Sequence, residues 1–135
     1  MNMATRCVAV AALVLLPLTS YGAGMKEGLW EISSSMEMPD MPMKIPPQVV
    51  KHCYTKEEVS DQKKVINRDK NCTVKEMKVS GNKVTWRIEC TGENSGTMTG
   101  ETIFSETSYT SSMKMQSRGQ KMSMKVKGKR LGNCP

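Results

Sequence analysis

At 135 residues the chain has room for one domain, and its 20 Lys and Arg against 13 Asp and Glu give it a formal charge of +7. The one long apolar run, Val8 to Leu18, falls short of the ~20 residues that a membrane-spanning helix requires. Two Trp, three Tyr and one Phe are too few rings for a base-stacking platform, which argues against nucleic acid as a partner.

The first element in chain order is an export signal over residues 1–22. Arg6 supplies a positive charge, Cys7 to Leu18 an apolar stretch, and Ser20-Tyr21-Gly22 small residues at the two positions a signal peptidase reads. Cleavage is expected after Gly22, with Ala23 or Gly24 as alternatives. Cys7 has no small-residue lipobox before it, so a lipid anchor is not expected. The remaining single β-rich domain, 23–135, would then be periplasmic or secreted. Removing the signal takes away Arg6 alone among the side chains charged at neutral pH, so 20 basic residues become 19 against 13 acidic and the charge falls to +6. The five cysteines become an even four: Cys53, Cys72, Cys90 and Cys134.

Strands follow, because apolar positions recur at every second residue. They are predicted near Gly28 to Met36, Val49 to Tyr54, Thr73 to Val79, Val84 to Thr91, Thr97 to Phe104, Tyr109 to Ser117 and Lys121 to Arg130. The alternation is complete in the last, where Met122, Met124 and Val126 share one face and Lys121, Ser123, Lys125 and Lys127 the other. Between the second and third, Thr55-Lys56-Glu57-Glu58 fits a capping box and predicts one short helix from about Lys56 to Lys63. Turn residues at Ser80 to Lys83, Gly92 to Gly96, Ser105 to Thr107 and Ser117 to Gln120 join consecutive strands. The expected fold is mostly β: an antiparallel up-and-down meander of about seven strands, forming a curved sheet or small barrel.

Four cysteines in an exported domain point to two disulfides. Spacings of 19, 18 and 44 residues lack the close pairs of a zinc knuckle. A short turn at Ser80 to Lys83 pairs Val79 with Val84 and Met77 with Trp86, which leaves Cys72 opposite Thr91 and facing away from Cys90. That parity favours Cys53–Cys72 with Cys90–Cys134. A bulge near Cys72 would instead restore Cys72–Cys90 with Cys53–Cys134.

Several segments together resemble a bacterial family. These are Gly28-Leu29-Trp30-Glu31-Ile32, the Met/Pro stretch Met36 to Met43, Cys53 before a short acidic helix, Ser80 to Trp86, Cys90-Thr91-Gly92-Glu93, and the ending Gly128 to Pro135. The family is the one catalogued as domain of unknown function 3617. The resemblance covers nearly all of the mature chain and implies a small exported protein without an assigned activity. Gly28-Leu29-Trp30 with Lys129-Arg130 is also similar to the lipocalin-like pattern, which implies a first-strand Trp packed beneath a basic residue at the closed end of a barrel.

Catalysis is poorly supplied. His52 is the sole histidine and its neighbour Cys53 is expected to be oxidised, so no Ser-His-Asp or Cys-His arrangement has both base and nucleophile. Glu57 and Glu58 are adjacent and point apart, and no phosphate-cradling glycine loop is present. The chain is not expected to be an enzyme, and no cofactor is expected.

The inventory points to binding. Trp30, Trp86, Met113, Met115, Met122 and Met124 are the candidate contacts for a small apolar or amphipathic ligand; packing of methionine as an adaptable core is the competing account. Seven Lys or Arg and no acid lie between Lys114 and Pro135, which suits an anionic envelope component or a solvated strand face. The methionines Met36, Met38, Met41 and Met43, with prolines that deny the segment regular pairing, offer soft ligands for Cu(I) together with His52, or an apolar flap over a barrel mouth. A structural envelope component is the third reading.

Overall fold

The computed structural model describes residues 24–67, 69–93 and 95–135; the expected export signal lies outside them. Seven antiparallel strands form one open, curved sheet: β1 (Gly28–Glu37), β2 (Gln48–Tyr54), β3 (Cys72–Ser80), β4 (Lys83–Cys90), β5 (Gly96–Phe104), β6 (Ser108–Ser117) and β7 (Gln120–Gly132). Strands β3 to β7 are consecutive hairpins. β1 inserts between β2 and the last strand, giving the order β2-β1-β7-β6-β5-β4-β3. The edges are β2 and β3, so the sheet is the open form of the two that the alternation allowed, without the closed end that the lipocalin-like pattern implies.

Between the two edges the chain forms helices rather than a ladder. Where one helix was expected there are two, α1 (Lys56–Ser60) and α2 (Gln62–Ile66). The break is Asp61, in extended conformation at φ −122° and ψ 105°. Its N–H caps α1 by donating to the Glu58 carbonyl, and its carboxylate accepts from the Lys63 N–H to start α2. A short acidic side chain that bonds the backbone two residues on favours a fresh cap over continuation. Val59, Val65 and Ile66 from this pair pack against the sheet's inner face.

That inner face holds the core. Trp30, Ile32, Tyr54, Val84, Trp86, Ile88, Phe104 and Tyr109 are buried there with Met25. Trp30 is 0% exposed and centres the packing. Its ring meets Tyr54 edge-on at 5.9 Å and Tyr109 at 5.7 Å, and its Nε1 donates to the Lys26 carbonyl at 3.1 Å. Arg130 stands opposite Trp30 in the β1–β7 register, with its guanidinium donating to the Glu27 carbonyl and the Asn133 side chain. Two glycines inside strands let aromatic rings lie close to the backbone. A Cβ on Gly100 would stand 2.7 Å from Trp86 Cζ2, and a Cβ on Gly128 would overlap the Tyr109 ring.

The disulfides are Cys53–Cys134 and Cys72–Cys90, which overturns the pairing favoured by hairpin parity. Val79↔Val84 and Met77↔Trp86 pair as expected, but the register slips by one between Val74 and Glu76. Lys75 is the extra residue. The bulge turns Cys72 to stand opposite Cys90 with their Cα atoms 4.0 Å apart.

Two stability measurements check these packings. Loop closure predicts that losing Cys53–Cys134, with 81 residues of separation, costs about 4.5 kcal/mol, whereas losing Cys72–Cys90, with 18, costs about 3 kcal/mol; urea unfolding of the paired Cys→Ser variants should rank them so. Gly128→Ala should cost about 2 kcal/mol, because the buried Tyr109 ring has to move.

Candidate functional site

Register decides which side chains meet on the inner face. One row across the sheet reads Ser34, Val126, Ser111, Thr102, Val84. The next reads Met36, Met124, Met113, Gly100, Trp86, Met77, and the one beyond it Met122, Met115, Met98, Ile88, Val74. The methionines in these rows are all half-buried, in contrast to the closed packing around Trp30. Four of the expected contacts, Met113, Met115, Met122 and Met124, therefore share one patch. Met36, Met77 and Met98 join them, which no single strand reveals because pairing register is a property of two strands.

Beside this patch, under the helix pair, is a cavity of about 270 Å³ lined by Tyr54, Ile66, Trp86, Tyr109, Met113 and Met124 among others. None of the described residues lining it is Asp, Glu, Lys, Arg or His. Its polar groups are hydroxyls held in place by their neighbours. Trp86 Nε1 donates to Thr102 Oγ1 at 3.1 Å, Thr102 and Ser111 share a hydrogen bond at 2.9 Å, and the Tyr54 and Tyr109 hydroxyls stand 3.3 Å apart. Thr102 and Ser111 are buried, and strand parity with Phe104 and Tyr109 is the sequence signal that marks them. Trp86 lines the cavity; Trp30 does not, being closed off in the core. A larger cleft of about 640 Å³ beside the Cys53–Cys134 bridge has Glu27, Lys56 and Glu57 in its walls, and Lys56 faces Glu27 at 3.8 Å, so it is a charged, solvated crease.

The residues considered for Cu(I) do not converge. Met36 belongs to the inner patch, opposite Met124. Met41 and Met43 are 54% and 75% exposed, so the segment does not close as a flap. His52 pairs with Trp30 at the far end of β1, six residues or ~20 Å along the strand from Met36. There its Nε2 meets Glu58 Oε1 at 3.2 Å and its ring stacks edge-on against Tyr54 at 4.5 Å. Glu58 also closes the capping box, accepting from the Thr55 N–H at 2.8 Å while Thr55 Oγ1 accepts from the Glu58 N–H. Burial pushes the Glu58 carboxyl up, but the Thr55 N–H and His52 outweigh it and hold the group below its ordinary value of 4.5.

On the outer face Lys121, Lys125, Lys127 and Lys129 of β7 are exposed in line, with Lys114 of β6 beside them. No ion pair described among these residues joins them to a carboxylate; the pairs on this face are Lys83–Glu101 at 2.8 Å and Arg87 with Glu76 and Glu89.

Fold and site thus define a class: a disulfide-tied open antiparallel sheet with a helix-pair crossover, an uncharged cavity on its inner face and a row of lysines on its outer one. A family model described as "Protein of unknown function (DUF3617)" matches residues 25–134, and the chain belongs to that family. None of the curated proteins and none of the solved structures matches it.

The Glu58 cluster carries a pH signature. Its carboxyl binds a proton less readily in the folded than in the unfolded state, so its contribution is present above 4.5 and fades as pH falls below that value. Glu58→Ala should cost about 1 kcal/mol at neutral pH. The gap to the unmodified protein, measured by urea unfolding, should narrow well below 4.5; a constant gap would refute this account.

Proposed function

We propose that the chain is an exported, non-catalytic binding protein that holds a small apolar or amphipathic ligand against the inner face of its sheet, with the outer lysine row meeting anionic envelope material. The observation that carries this reading is the uncharged cavity opening onto a half-exposed methionine patch. Ligand sites are mostly apolar with a few placed polar groups, and here the hydroxyls of Thr102, Ser111, Tyr54 and Tyr109 occupy that role. At about 270 Å³ the cavity lies just under the usual ~300–1,000 Å³, so the ligand extends from it over the methionines. Unbranched thioether side chains repack around varied shapes, which favours an adaptable rather than a rigid fit. Two disulfides and the apolar leader support export.

The mature protein should take up the neutral probe N-phenyl-1-naphthylamine with enhanced probe fluorescence. Ile66→Trp, which fills the cavity from α2, should weaken uptake about tenfold, or ~1.4 kcal/mol. Absence of uptake by the unmodified chain would sink the reading. N-terminal sequencing of protein recovered from a bacterial periplasm should start between Ala23 and Met25, and an intact Met1 there would contradict export.

A further inference from the structure

Antiparallel pairing sets methionine opposite methionine four times: Met36↔Met124, Met124↔Met113, Met122↔Met115 and Met115↔Met98. The first two pairs run across β1, β7 and β6 in one row, and the other two across β7, β6 and β5 in the adjoining row. Paired Cα atoms are ~4.5–5.5 Å apart and rows two residues apart are separated by ~7 Å. Each unbranched side chain has three rotatable bonds with which to bring its sulfur over the space between neighbours. We propose that Met36, Met124 and Met113 form a thioether site for a soft monovalent cation, Cu(I) or Ag(I), with Met98, Met115 and Met122 alongside as a second set.

The surrounding chemistry selects for softness. Beyond the methionines, the two rows contain only Gly100, Trp86, Ile88 and Val74, so a hard divalent ion finds no carboxylate or imidazole in them. The lysines of β6 and β7 alternate onto the opposite face and do not stand among the sulfurs. Gly100 leaves room for the Trp86 indole, which would stand 2.7 Å from a Cβ at that position and so lies next to Met113 in the row. An aromatic face there adds attraction for a cation and gives a spectroscopic reporter. Half-burial leaves the sulfurs reachable while water is partly excluded. Leucine would serve as well in a purely apolar patch; six adjoining thioethers supply a ligand set that leucine cannot.

This proposal stands apart from the reading of the cavity, and Ile66→Trp separates the two, since it fills the cavity without altering a thioether. The mature chain, disulfides intact, is titrated with Ag(I), which needs no reductant, and followed by tryptophan fluorescence and by the ¹³C-methyl resonances of its methionines. Binding at micromolar Kd or tighter is expected, with quenched fluorescence and shifts at Met36, Met113 and Met124 but not at the exposed Met41 and Met43. Met113→Leu with Met124→Leu should weaken Ag(I) at least tenfold, whereas Ile66→Trp, which should weaken naphthylamine uptake, should leave Ag(I) binding intact. Absence of methyl shifts in the unmodified chain, shifts confined to Met41 and Met43, or equally tight Ag(I) binding by the leucine variant would each overturn the proposal. The methyl shifts of the unmodified chain decide the question even if the variant does not fold. Absence of naphthylamine uptake by the unmodified chain, with its Ag(I) binding and methyl shifts present, would count against the apolar-ligand reading alone.

Discussion

Everything on the inner face depends on β1 taking its place between β2 and β7. The strand contains Trp30, whose indole is wholly enclosed once Tyr54 arrives from β2 and Tyr109 from β6. Bringing the first strand to the last closes a loop of ~100 residues, an entropic cost of about 4 kcal/mol. Burial of a large aromatic offsets much of it, since full burial of a Phe-sized side chain contributes about 3 kcal/mol. The Cys53–Cys134 bridge then ties β2 to the segment beyond β7, so both flanks of β1 are held covalently. Without that insertion Met36 would have no Met124 opposite it, and the methionine rows would lose a strand.

The sheet separates two chemistries by parity alone. Lysines gather on the outer face, where β7 sets four of them in line, and the sheet's methionines and large aromatic rings gather on the inner face. Because every side chain on a strand belongs to one face or the other, a one-residue slip would send lysines into the cavity. Lys75 shows how the fold confines such a slip. The bulge it makes sits on an edge strand, alters the register of three pairs beyond it, and ends at the Cys72–Cys90 bridge, which fixes the altered alignment.

Much of this was legible in single segments. The seven strands fall within about two residues of their expected limits, and the capping box at Thr55 and Glu58 forms as its four residues require. The failures share a cause. Hairpin parity is right from Ser80 back to Met77 and wrong at Cys72, because an inserted residue leaves no mark in alternation that a polar Lys on an exposed edge does not also leave. The helix split at Asp61 was equally hidden, since Asp is tolerated inside helices and caps them too. For the site, Met122 with Met124 and Met113 with Met115 are visible as pairs on their own strands, whereas their convergence with Met36 and Met98 depends on neighbours set by hydrogen-bonding register.

Why methionine stands in these positions is not a question of burial. On the strands, the deeply buried apolar positions hold Trp, Tyr, Phe, Ile and Val, residues with few rotamers that fit a fixed environment; Met25, the one methionine in the described core, precedes β1. Most of the half-buried apolar ones hold Met, the most adaptable of the apolar side chains, with Val74 and Val126 beside them. Ordering a methionine costs up to about 2 kcal/mol of rotamer freedom, and a half-exposed position recovers little of that through packing. The rigid end of the inner face therefore contributes stability, and the flexible end is free to repack. The gradient from Trp30 to Met122 thus runs from closed packing to open thioethers across a single surface, the contrast on which the proposed binding role rests.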